Sequence, residues 1–165
     1  MTDGPTAVIA FGRCDHGDDA AGLMVADILE QHRSGELTIV RAPTARDEVH
    51  DVLQVHDTVY AIDTMRTGGT PGAVRRIDPE GDQLPASYPR GGEHVSLVDV
   101  IESTVSGRNE LVVVLFAIEG RWFTPQAGVS PEVAAAVHDL ADSVLAALAG
   151  EGAPGEDRTL QGVAS

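Results

Sequence analysis

Short apolar runs alternate with amphipathic stretches along this chain, and the alternation predicts its elements in order. Ala7-Val8-Ile9-Ala10-Phe11 reads as a strand buried on both faces, ended by Gly12. Arg13 to Gly17 reads as a loop. A helix then opens at Asp18 and Asp19, with Leu23, Val25, Ala26, Ile28 and Leu29 as its apolar positions. Leu37 to Arg41 is the second strand, followed by a turn at Ala42-Pro43-Thr44, since proline cannot donate to a ladder. Val49, Val52 and Leu53 lie at helical spacing within Arg46 to Val55. Thr58-Val59-Tyr60-Ala61-Ile62 is a third strand that Asp63 ends.

The second half continues the pattern with one irregularity. Ala73 to Ile77 follows the turn cluster Thr67-Gly68-Gly69-Thr70-Pro71-Gly72 too soon for a helical crossover, so this strand is expected to run antiparallel. Asp78 to Gly92 reads as loop, and His94 to Ile101 opens a helix. Leu111 to Phe116 is the strongest strand signal. After a loop over 121–129, Ser130-Pro131-Glu132-Val133 combines an N-cap residue, a first-position proline and an early acid. That helix is expected to end at Gly150. These elements predict a three-layer α/β/α sandwich with a five-stranded, mostly parallel sheet containing one antiparallel strand. A single domain over 1–150 is expected, with residues 151–165 a disordered tail rich in glycine, proline and charge.

Two apolar strands that each lead to a carboxylate would place both acids on one rim of a parallel sheet, where ligands gather in open α/β folds. The first loop carries Asp15, Asp18, Asp19 and His16, more acid than capping one helix requires. Asp18 alone is most simply the N-cap, and Asp19 would oppose the helix dipole. His16 is a further candidate, whereas His32, His50, His56 and His138 have no convergent acid and read as surface residues.

Composition narrows the partners. Eleven basic against 26 acidic residues give a formal net charge of −15, which repels nucleic acid and anionic lipid. The lone Cys14 excludes an internal disulfide and fits a reducing compartment. No apolar run approaches the roughly 20 residues of a membrane span, and Met1 to Pro5 lacks a signal-peptide layout, so a soluble, cytoplasmic monomer is expected.

Taken together the stretches resemble the nickel–iron hydrogenase maturation endopeptidases. Asp18-Asp19-Ala20-Ala21-Gly22 matches that family's D-[DE]-x-x-G helix start, and Tyr60-Ala61-Ile62-Asp63 its strand ending in aspartate. His94 opens a helix after a loop, and Ile118-Glu119 with Gly128-Val129-Ser130-Pro131-Glu132-Val133 completes the ordered set across residues 6–149. The resemblance implies metal ligands at Asp19, Asp63 and His94. Two carboxylates and an imidazole suit nickel, with zinc or cadmium as substitutes, and leave coordination positions open. It further implies cleavage of a C-terminal extension from a hydrogenase large-subunit precursor once nickel, supplied by that substrate, is in place. In one form of the chemistry the metal generates the attacking hydroxide. In the other it anchors the substrate while Asp63, with Asp19 beside it, serves as the catalytic carboxylate. Ser96 lacks a nucleophile elbow, so no serine hydrolase is expected.

The chain departs from the family in two turns. Arg13 stands where asparagine is usual, and Arg41-Ala42-Pro43-Thr44-Ala45-Arg46 replaces a glycine-rich turn that would line the substrate cleft. The ligand set is retained, which favours the enzyme. The altered turns favour a rival, a module of the same fold that binds the precursor without cutting it.

Overall fold

The computed structural model describes residues 4–33, 35–43, 45–77 and 110–150. Five strands form one sheet: β1 (Thr6–Ala10), β2 (Leu37–Arg41), β3 (Thr58–Met65), β4 (Val74–Ile77) and β5 (Val112–Glu119). Their spatial order is β2-β1-β3-β5-β4. β1 pairs in parallel with β2 and β3, and β3 in parallel with β5, while β4 runs antiparallel to β5 as expected. The short β3–β4 connection accounts for the reversal, because nothing in it can return the chain to the starting edge of the sheet.

Helices cover both faces. α1 (Ala21–His32) and α3 (Pro131–Leu148) pack on one, through Val25, Leu29, Val137 and Leu140 against Val8, Ile62, Phe116 and Ile118. α2 (Arg46–Val55) packs on the other, with Val49 and Leu53 against Ile9, Ala61 and Leu115. Alternate residues of each central strand therefore face opposite helical layers, and the central strands are mainly apolar because both faces are buried. The three-layer sandwich stands.

Some boundaries move. β1 begins and ends one residue earlier than expected, although Phe11 stays fully buried and its N–H donates to Ile62 O at 2.9 Å. β3 does not stop at Asp63: Asp63, Thr64 and Met65 pair with Ala117, Ile118 and Glu119 because β5 extends the ladder on that side. His56 is not a surface residue. It is 8% exposed, its Nδ1–H donates to Val52 O at 2.8 Å, and its Nε2 lies 3.2 Å from Thr38 Oγ1. His32, His50 and His138 are exposed as expected. The loop over 78–92, the helix opened by His94 and the tail 151–165 lie outside the described residues.

Candidate active site

The strand order fixes where a site can form. From β1 the chain turns to β2 on one side, while β3 lies on the other, so the connections diverge between β1 and β3 and open a crevice at their carboxyl ends. β1 stops opposite Ile62, and β3 continues past it. Asp63 is thus the first residue of β3 that projects beyond the end of β1, held in place by β5.

The loop after β1 brings the other acids to the same place. Gly12 turns the chain with φ +137°, and a Cβ there would lie 2.0 Å from Asp19 O. The chain then folds back, and the Arg13 N–H donates to that carbonyl at 3.2 Å. Asp18 and Asp19 sit in a single 3-10 turn, Gly17–Ala20, rather than in α1 itself. Thr64 Oγ1 donates to Asp18 O at 3.1 Å, so the turn that carries Asp19 is bonded to the residue beside Asp63. Gly22 explains the last position of the motif. A Cβ there would stand 2.6 Å from Phe11 O and 3.0 Å from Ile62 O, so only glycine lets the helix cross the strand ends this closely.

Four carboxylates are buried around this rim: Asp18, Asp19, Asp63 and Glu119, none more than 1% exposed. Two of them organise loops. Asp18 is not the N-cap of its own helix. Its oxygens accept from Arg121 N (2.6 Å), Trp122 N (3.1 Å), Ser130 N (2.7 Å) and Ser130 Oγ (2.9 Å). It ties the start of α1 to the loop after β5, and Asp18 N completes the tie by donating to Trp122 O at 2.9 Å. Ser130 does precede α3, but its hydroxyl serves Asp18 instead of its own helix. Glu119 plays the same part for the β3–β4 loop, accepting from Thr67 N, Thr67 Oγ1, Gly68 N and Gly69 N at 2.8–3.3 Å. Sequence reasoning assigned Glu119 no role. The available signal was an acid closing the most apolar strand, with a Thr-Gly-Gly turn to receive it.

Asp19 and Asp63 are engaged differently. Asp63 Oδ1 accepts the Thr64 N–H at 2.7 Å. Asp19 Oδ2 accepts from Arg13 Nε at 2.8 Å, an ion pair in which Asp19 is fully buried and the arginine side chain 19% exposed. Nearby, Asp15 Oδ1 lies 2.6 Å from His16 Nδ1, and that hydrogen bond holds the exposed Asp15 carboxyl below its usual range.

The structure therefore brings Asp19 and Asp63 to adjoining segments of one rim, while His94 lies outside the described residues. Among the described residues no group of three His, Cys, Asp or Glu side chains could hold a metal ion. Two buried carboxylates nevertheless suit a divalent cation as partial ligands, and Asp19 already holds a positive group.

The sequence matches no protein-family model and no curated protein. Solved structures do match. The hydrogenase maturating endopeptidase HybD from E. coli superposes with a TM-score of 0.70 at 20% identity, covering 90% of this chain and 94% of that one. A hydrogenase 2 maturation peptidase from Thaumarchaeota archaeon SCGC_AB-539-E09 gives 0.61 at 22% identity, covering 90% and 99%. The [NiFe] hydrogenase maturation protease HycI from Thermococcus kodakarensis KOD1 gives 0.63 at 19%, covering 87% and 92%. At these identities the likeness establishes a shared fold over nearly the whole of each chain.

Proposed function

We propose that this protein is an endopeptidase that removes the C-terminal extension of a [NiFe]-hydrogenase large-subunit precursor after nickel insertion, acting as a cytoplasmic monomer. The observation that carries the reading is the placement of Asp19 and Asp63, fully buried, at the β1/β3 crevice of a sheet shared with hydrogenase maturation proteases. Asp18 and Glu119 anchor the surrounding loops, while Asp19 and Asp63 stand at the crevice itself.

In this reading Asp19, Asp63 and His94 meet the nickel that the precursor brings, and the ion registers that the substrate is ready and lies in reach. Bound nickel supplies either Lewis acidity or an anchor. Asp63 acts as general base toward the attacking water, held by β5 on one side and by the Thr64 N–H on its own oxygen. Asp18 and Glu119 touch no substrate here; they fix the loops that border the crevice.

One observation favours a second reading. The Arg13–Asp19 ion pair neutralises a ligand with an internal cation, which suits a module that docks the precursor without cutting it. Incubating the purified protein with nickel-loaded and nickel-free precursor and weighing the products separates the two. Mass loss only with nickel supports the endopeptidase; stable binding with unchanged mass supports the module.

A further inference from the structure

Arg13 holds Asp19 twice: its backbone N–H donates to the Asp19 carbonyl at 3.2 Å and its Nε to the Asp19 carboxylate at 2.8 Å. Gly12, with its positive φ, makes the fold-back possible, and the approach to Asp19 O leaves no room for a Cβ. Asp19 is fully buried, while Arg13 is the partly exposed member of the pair. The arginine is thus the member of the pair that reaches solvent. A guanidinium stays protonated throughout the accessible pH range, so loss of the arginine's own proton does not release Asp19. Movement of the Arg13 side chain, or a competing cation, does.

We propose that Arg13 is a specificity-determining gate: an internal cation that engages the Asp19 carboxylate and must be displaced before a divalent metal ion binds there. The inference rests on the reading of Asp19 as a metal ligand. A like-charged guanidinium and metal ion on one carboxylate repel each other. A free aqua ion offered few ligands therefore competes poorly, whereas an ion presented within a precursor brings its own ligands and substrate contacts to the exchange. The gate would keep the free protein empty and reserve the site for cargo that arrives on substrate. In population terms, the apparent affinity for free metal falls by the fraction of molecules in which Asp19 is released.

The test is calorimetric titration of Cd2+ and Ni2+ into wild type, Arg13→Gln, Asp19→Asn and the Arg13→Gln/Asp19→Asn double variant, with thermal melts with and without metal. Arg13→Gln is expected to bind Cd2+ about tenfold more tightly or better, the gain expected when a state populated in roughly one molecule in ten becomes dominant. The gain should vanish in the double variant. Arg13→Gln should also melt lower than wild type without metal and regain the difference with Cd2+, whereas a merely structural arginine would leave the loss in place. Equal or weaker binding by Arg13→Gln, no binding by any variant, or a gain that survives Asp19→Asn overturns the gate. If Arg13→Gln does not fold, Arg13→Met, which removes the charge but keeps much of the side chain's apolar stem, decides: affinity no tighter than wild type overturns the gate. Wild-type cleavage of nickel-loaded precursor is scored separately. Cleavage without the affinity gain sinks only the gate, and an affinity gain without cleavage sinks only the endopeptidase reading.

Discussion

Asp18 and Asp19 are chemically identical neighbours with opposite occupations. Asp18 accepts four N–H and O–H donors from the segment between β5 and α3, whereas Asp19 faces a guanidinium. Asp18→Asn should therefore act on stability: an amide replaces one acceptor oxygen by a donor, set against buried donors. A loss of about 2–4 kcal/mol in urea denaturation is expected, given that charge-assisted bonds are worth roughly 1.5–3 kcal/mol each and do not add. Asp63→Asn should act on activity instead. Being near-isosteric, it should leave the circular dichroism spectrum and melting temperature close to wild type while precursor cleavage falls by roughly a hundredfold or more, the usual scale for losing a general base. Cleavage at the wild-type rate would remove Asp63 from the mechanism. The resemblance put the ligand at Asp19 and left Asp18 a structural role, but what Asp18 binds was not legible from the sequence. Spacing marked both as helix-start acids, but the donors that claim Asp18 come from residues 121–130, more than a hundred positions away.

At the level of elements, Gly22 is the hinge of the arrangement, because α1 crosses the ends of β1 and β3 at that residue. Gly22→Ala would push a methyl group into two backbone carbonyls. Overpacking of this kind typically costs about 1–3 kcal/mol, and the shift would carry the Gly17–Ala20 turn and Asp19 with it. The expected outcome is a lower melting temperature together with a loss of cleavage larger than stability alone explains, read by assaying at a temperature where the variant remains folded. The elements themselves were largely readable. Periodicity located α2 and β2 at their observed bounds, and the brevity of the β3–β4 connection announced the antiparallel strand. Periodicity did not reveal that β3 runs past Asp63, because the ladder there depends on β5, 54 residues later in the register pairs. Nor did it find His56 buried, and its hydrogen-bond partner Thr38 belongs to β2, 18 residues earlier in the chain.

For the molecule as a whole, burial of both sheet faces sets a pH limit as well as a fold. Tyr60 lies in the core between β1 and β5, 9% exposed, and burial raises its phenol above the ordinary value of 10.0 despite the nearby Arg76. The folded state thus holds the proton more tightly than the unfolded chain. Stability is unaffected by this group below about pH 10 and falls as pH rises beyond it, because the unfolded tyrosine ionises first. All eleven basic residues are arginine, so no lysine titrates over the same interval. Tyr60→Phe should flatten the decline in stability between about pH 9 and 11, measured by urea denaturation at each pH. An unchanged slope would show that Tyr60 ionises as readily in the fold as outside it. Among the described residues no helix is long and apolar enough to cross a membrane.

The sequence by itself determined the layers. Short apolar runs bounded by turn residues read as inner strands, and the amphipathic stretches between them as their covers. It also marked Asp19 and Asp63 as acids following such strands. Tertiary structure alone decided what each acid does. A carboxylate's role depends on which donors meet it, and the donors here (Arg121, Trp122 and Ser130 for Asp18, the 67–69 turn for Glu119, Arg13 for Asp19) come together only when the loops close over the rim.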